Sequence, residues 1–163
     1  MIVRCTKRLR DALHVGSGAL LDAPPNEDDF YANLVWFDRR KCLLLVHAGT
    51  LFPVFVADVR VPDLRPIGRQ VVRVVEDALL EEGLPVDAFG QLDPDDVQLE
   101  KTASRHVLGV MNEIAFECGW QIDRAGGLWN VKVDDLNHHI RRSLHTKDGD
   151  YQVPLELVLK RLE

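Results

Sequence analysis

Three cations crowd one short stretch, Asp38-Arg39-Arg40-Lys41, between two apolar segments. Adjacent guanidinium groups present forked donors that match a phosphate or a carboxylate. The stretch reads as the tip of a β-hairpin, so Arg39, Arg40 and Lys41 become candidate binding residues for an anion. The alternative is a charged turn that keeps the sheet soluble and discourages edge pairing.

A second candidate lies on a helix predicted from Arg105 to Cys118. At about 100° per residue, Val107, Leu108, Met111, Ile114, Ala115 and Cys118 form its core-facing side. Arg105, Gly109, Asn112 and Phe116 share nearly the opposite side, with Glu113 beside them. Gly inside a helix costs about 1 kcal/mol relative to Ala, so Gly109 predicts close approach by a ligand or another backbone. Arg105, Asn112 and Glu113 are therefore candidate ligand- or partner-binding residues. The alternative is that residues 128–163 cover this stripe and use up its donors. A third set, His138, Arg141, Arg142 and His145, lies at i, i+3, i+4 and i+7 on a helix predicted over 135–145, as a secondary basic stripe. Its charge would grow below pH ~6.5.

No Walker loop, GxGxxG, GxSxG, HExxH or EF-hand pattern occurs, and no CxxC pair. The outer histidines of the third set lie roughly 10 Å apart along a helix, too far to share one ion. Neither a metal nor another cofactor is expected. Cys5, Cys42 and Cys118 each sit in an apolar context and read as small buried hydrophobes.

The elements that position these groups follow from periodicity. Residues 2–5 read as a strand, and Thr6 can cap a helix to about His14. Phe30 to Asp38, Lys41 to His47 and Leu51 to Ala57 read as three strands. The middle one, apolar on both faces, predicts a sheet covered on both sides. Pro53 places the third strand at an edge or a bulge. Ile67, Val71, Val74, Val75, Ala78 and Leu79 predict a helix over 64–82, with Asp63 as cap and Gly83 as stop. Val97 to Lys101 has the alternation of a further strand, and Pro154 opens a last helix. The expected fold is a single α+β domain over residues 1–163, strand-rich over 1–60 and helix-rich over 61–163. Its sheet is expected to be small and mostly antiparallel with helices packed on it, and its C-terminal half mostly helical.

With 163 residues, 46% hydrophobic and 28% charged, the chain has an ordinary globular composition, which excludes collagen-like, coiled-coil and disordered classes. Its formal charge is −6, but unevenly spread. Residues 30–75 hold seven basic and three acidic groups, whereas 76–100 hold nine acidic groups and no Lys or Arg. The acidic run is a solvated face or a surface for a basic partner. No apolar stretch approaches the ~20 residues of a bilayer span or a secretory leader, so a cytoplasmic protein without membrane contact is expected.

Met1-Ile2-Val3-Arg4-Cys5-Thr6, Tyr31-Ala32-Asn33-Leu34, Asp38-Arg39-Arg40-Lys41-Cys42-Leu43-Leu44 and Arg105-His106-Val107-Leu108-Gly109-Val110-Met111-Asn112-Glu113 together resemble an uncharacterised bacterial family, a domain of unknown function, over residues 1–145. The family's last motif usually reads Arg-Ser-Val-Leu-Gly-Ser-Met-Asn. His106 and Val110 depart from it; Arg105, Gly109 and Asn112 match. The resemblance implies a bacterial cytoplasmic domain and no particular activity or cofactor.

Clustered cations without a recognisable nucleophile or base set predict a non-enzymatic binding or regulatory domain. Its partner would be anionic: a protein, a nucleotide or a nucleic acid. The alternative is a metal-independent enzyme acting on a phosphate-containing substrate such as RNA or a nucleotide. Arg39 and Arg105 would then stabilise charge, and Glu113 or a histidine would serve as base.

Overall fold

Strand β1 (Ile2–Cys5) forms the inner rung of a five-stranded sheet and leads directly into helix α1 (Lys7–Leu13), whose first turn is capped by Thr6. The computed structural model describes residues 1–20 and 22–163. After a long loop come β2 (Phe30–Phe37), β3 (Arg40–His47) and β4 (Pro53–Val56), an antiparallel meander. Helix α2 (Ile67–Glu81) follows, then β5 (Gln98–Lys101) and the long α3 (Arg105–Ala125). The chain ends with α4 (Val133–Ile140), a small hairpin of β6 (His145–Lys147) and β7 (Asp150–Gln152), and α5 (Pro154–Arg161).

The strand order is β4-β3-β2-β1-β5. Because β1 runs parallel to both β2 and β5, the sheet is mixed rather than mostly antiparallel. β1 reaches β2 through α1 and a long loop, and reaches β5 only after β2–β4 and α2, the long connections that parallel pairing requires. Periodicity finds a strand but carries no information on its partner's direction. The C-terminal half is likewise less helical than expected: the strand over 97–101 is found as β5, but the β6–β7 hairpin begins at His145, where helix was expected.

Both faces of the sheet are covered, as the apolar β3 requires. On one face Leu43 and Leu45 join Leu9 of α1 and Val71, Val75 and Leu79 of α2. On the other, Cys42, Leu44 and Val46 meet Met111, Ile114 and Cys118 of α3 and Leu136 and Ile140 of α4. β4 is an edge strand, where Pro53 is tolerated, and the chain itself covers that edge. Asn137 accepts a hydrogen bond from Phe55 N (2.8 Å) and donates to Phe55 O (2.8 Å), while Arg141 Nε donates to Pro53 O (3.2 Å).

All six apolar positions expected for α2 are buried. It begins at Ile67 without a side-chain cap, because Asp63 belongs to a preceding 3-10 turn, Val61–Leu64. Helix α3 runs two turns beyond Cys118 and stops at Gly126, whose φ of 91° no Cβ-bearing residue adopts readily. Its buried side includes Val110 and Ile122, with Leu108 and Ala115 at the margins.

Candidate functional site

The β2–β3 hairpin closes through Asp38 and Arg39, with φ of 49° and 61°. Two central residues of positive φ make the turn that matches strand twist, and Asn-Gly is the usual choice there. Here neither position is glycine, at a cost of order 1 kcal/mol each. Asp38 anchors the turn, since its Oδ2 accepts the Leu128 N–H. A Cβ on Gly127 would lie 3.1 Å from that same oxygen, so the α3–α4 connection needs a bare backbone where it meets the turn. Phe37 packs on Gly119, 3.1 Å from where a Cβ would stand. The C-terminal end of α3 and the turn are thereby fixed together.

Around this end stand all three tryptophans of the chain, 43% (Trp36), 50% (Trp120) and 67% (Trp129) exposed. Each carries a guanidinium over its ring: Arg8 at 5.3 Å on Trp36, Arg124 at 4.6 Å on Trp120, and Arg40 at 5.5 Å on Trp129. Stacking of this kind contributes about 0.5–1 kcal/mol at an exposed site and holds ring and cation in one orientation. Arg39 is exposed and Lys41 half-buried, and neither side chain has a hydrogen-bond or ion-pair partner among the described residues. Register separates the aromatic groups: Trp36 pairs with Lys41 on the α1–α2 face, and Phe37 with Arg40 on the α3 face. The turn is thus flanked on both faces by an Arg-covered tryptophan.

The expected α3 stripe is exposed at Arg105, Gly109, Asn112, Glu113 and Phe116. Residues 128–163 do not cover it. A Cβ on Gly109 would meet open space, so no close approach explains that glycine. Glu113 Oε2 lies 3.2 Å from Nδ1 of the buried His145 instead of joining Arg105 and Asn112. The helix meets the hairpin at Gly119, beneath Phe37, and Arg105 lies roughly 20 Å from Gly119 along the helix axis.

The secondary stripe comes apart. Helix α4 ends at Ile140, so Arg141, Arg142 and His145 do not continue its face, and His145 begins β6. The break has a physical cause in Arg141, which is buried beneath β4. There its Nη1 donates to Glu81 and Glu82, each at 3.1 Å. Arg142 adds a 2.7 Å contact to Glu82, and His138 stands 4.0 Å from it. With Asp95 on Arg69 (2.9 Å) and Asp77 near Arg73 (3.8 Å), four members of the acidic run are matched by the chain's own cations.

The cysteines are all buried thiols; burial pushes Cys5 and Cys118 up to about 12 and raises Cys42. Among the described residues no three His, Cys, Asp or Glu side chains gather to hold a metal, and no helix is long and apolar enough to cross a membrane. Trp36, Trp120, Trp129, Arg8 and Arg124 were not legible as site residues, because only the fold brings residues 8, 36–41, 120–124 and 129 to one end.

A family model described as "Domain of unknown function (DUF6933)" matches residues 2–157. No curated protein matches the chain, and no solved structure does.

Proposed function

We propose that this chain, which belongs to the DUF6933 family of unknown function, is a binding domain whose hairpin end grips an anionic polymer, with single-stranded nucleic acid as the best-fitting partner. One observation carries the reading: three exposed tryptophans, each under an arginine, surround a basic turn whose Arg39 and Lys41 have no internal partner among the described residues. Single strands are held by stacking of bases on aromatic rings, worth about 1–3 kcal/mol per base, and by cations that track the phosphates. The net charge of −6 does not oppose this, since the acidic excess is concentrated in residues 76–100, whereas residues 30–75, which carry the turn, hold seven basic groups against three acidic.

The test is fluorescence anisotropy of labelled oligo(U) and oligo(dT) titrated with the full chain, read alongside tryptophan quenching. Binding should weaken steeply with added salt, as counterion release demands. Arg39→Ala with Lys41→Ala should weaken it at least tenfold without lowering Tm. Saturable binding of an acidic peptide but of neither oligonucleotide would move the partner to protein, and unchanged binding in the double variant would reject the site.

The enzymatic alternative has less support. It asks Arg39 and Arg105 to share a cleft with a base, but they stand near opposite ends of α3, and Glu113 turns to His145.

A further inference from the structure

Adjacent parallel strands β1 and β5 send the chain to opposite faces of the sheet. Helix α1, after β1, packs on one face through Leu9 and Leu13, and α3, after β5, packs on the other through Val107 and Met111. Where two neighbouring strands part in this way, a crevice opens beyond their carboxyl ends, the place where open α/β sheets receive ligands. A cavity of about 750 Å³ lies there, lined by Arg4, Glu100 and Thr102 from the sheet side and by Ser17, Asp22 and Pro24 from the loop before β2. That volume suits a small molecule.

The donors and acceptors decide which kind. Arg4, 2% exposed, stands in register with Glu100 but spends its donors elsewhere: Nε on Asp29 (2.6 Å), Nη1 on Lys101 O (3.1 Å) and Nη2 on Ala23 O and Pro24 O (both 2.9 Å). It shapes the cavity and offers little to an anion. Glu100 is also 2% exposed, and its Oε1 has no hydrogen-bond partner among the described residues. A buried carboxyl oxygen without a donor is a costly vacancy. Asp22 adds a second carboxyl group to the walls, and the exposed Lys101 adds one ammonium, so the buried Glu100 oxygen rather than the summed charge selects the ligand. We propose that this crevice binds a small organic cation, an amine or guanidine, through Glu100. An N–H donor fits better than a metal ion, because no third ligating side chain joins Glu100 and Asp22 among the described residues. The site lies roughly 20 Å along β2 from the hairpin turn, so it stands independently of the polymer-binding reading.

The probe is agmatine, with a guanidinium at one end and an ammonium at the other, titrated into the ¹⁵N-labelled full chain. Amides of residues 100–103 and of Ala23 should shift saturably, whereas inorganic phosphate and neutral 1,4-butanediol should leave them unmoved. Glu100→Gln should weaken binding about tenfold or more. Ala103→Trp, at the exposed rim, should block entry without touching the carboxyl group, and it decides the matter if the first variant does not fold. The proposal fails if agmatine gives no saturable shift, if the shifts fall elsewhere, if butanediol binds equally, or if both variants bind as the parent does.

Discussion

Arg141 and Glu82, fifty-nine residues apart in sequence, meet at 3.1 Å with side chains 1% and 4% exposed. The contact joins the end of α2 to the end of α4, and the same guanidinium lies over the Phe52 ring at 5.0 Å and reaches Pro53 O. Burial alone would raise the Glu82 carboxyl group. Hydrogen bonds and charge from Arg142 and Arg141 outweigh that and hold it below its ordinary value.

Breaking this contact from one side leaves the other charge buried. Arg141→Ala should cost about 3 kcal/mol, the low end for a buried pair because Arg142 still serves Glu82. A depressed carboxyl pKa contributes stability that is fully present above its ordinary value of 4.5 and is lost as pH falls through the lower folded value. Urea unfolding across this range should therefore show a smaller acid loss in Glu82→Gln than in the parent. An identical slope would mean that Glu82 does not carry the effect.

His47 makes a second, separable contribution. It is fully buried, stacked on Phe89 at 4.2 Å, with Nδ1 3.0 Å from Thr50. Burial, with smaller contributions from the Arg161 and Lys147 charges, pulls its pKa down from 6.5 to about 3, and Asp28 opposes weakly. The unfolded chain thus takes up a proton that the folded chain refuses. Stability should be complete above pH 6.5 and decline as pH falls toward 3. His47→Gln should flatten the curve between those values, whatever it does to stability at pH 7. An NMR titration that shows the ring protonating near 6.5 in the folded protein would refute this.

Asn137 closes the outer edge of β4 with two hydrogen bonds to one residue, Phe55. Asn137→Ala should cost about 2–3 kcal/mol, since it leaves a buried N–H and C=O without partners. It should also promote self-association by baring a strand edge. Asn137→Asp keeps the acceptor but sets a buried carboxylate oxygen against Phe55 O and Val133 O, so in chemical denaturation at pH 7 it should cost at least as much as alanine. Light scattering of the alanine variant reads the second effect.

What the sequence made legible was local. Pro53 marked an edge strand, the unbroken Cys42–Val46 run marked a sheet covered twice, and the spacing from Ile67 to Leu79 marked the buried side of α2. Each depends on neighbours a few residues away. The basic turn was legible for the same reason, whereas its aromatic surroundings were not, because Arg8–Trp36 and Arg40–Trp129 are contacts between distant segments. The direction of β1 failed likewise: its period says strand, and only its partners say parallel. The basic stripe failed for a different reason. The helical spacing of the sequence continues past Ile140, but there burial of Arg141 against Glu82 outweighs helix continuation.

The turn itself sets stability against function. Asp38 and Arg39 both hold positive φ without being glycine, and Arg39 has no internal contact among the described residues that would offset the cost. Replacing the pair by Asn-Gly keeps a side-chain oxygen for the Leu128 N–H and supplies the residue that left-handed backbone favours. Asp38→Asn with Arg39→Gly should therefore stabilise the domain by about 1 kcal/mol, which raises Tm by a few degrees. It removes one cation and one anion, so the turn keeps its net charge, and the several-fold drop in affinity for oligo(U) expected as the protein becomes more stable reports the loss of the Arg39 guanidinium as a phosphate donor. If the variant gains stability and keeps full affinity, Arg39 is a tolerated irregularity and the contact surface must rest on the three tryptophans and the remaining cations, Arg40 and Lys41. If it loses stability, the native pair contributes more to the turn than its left-handed backbone costs, and the conflict between stability and binding at this position does not exist.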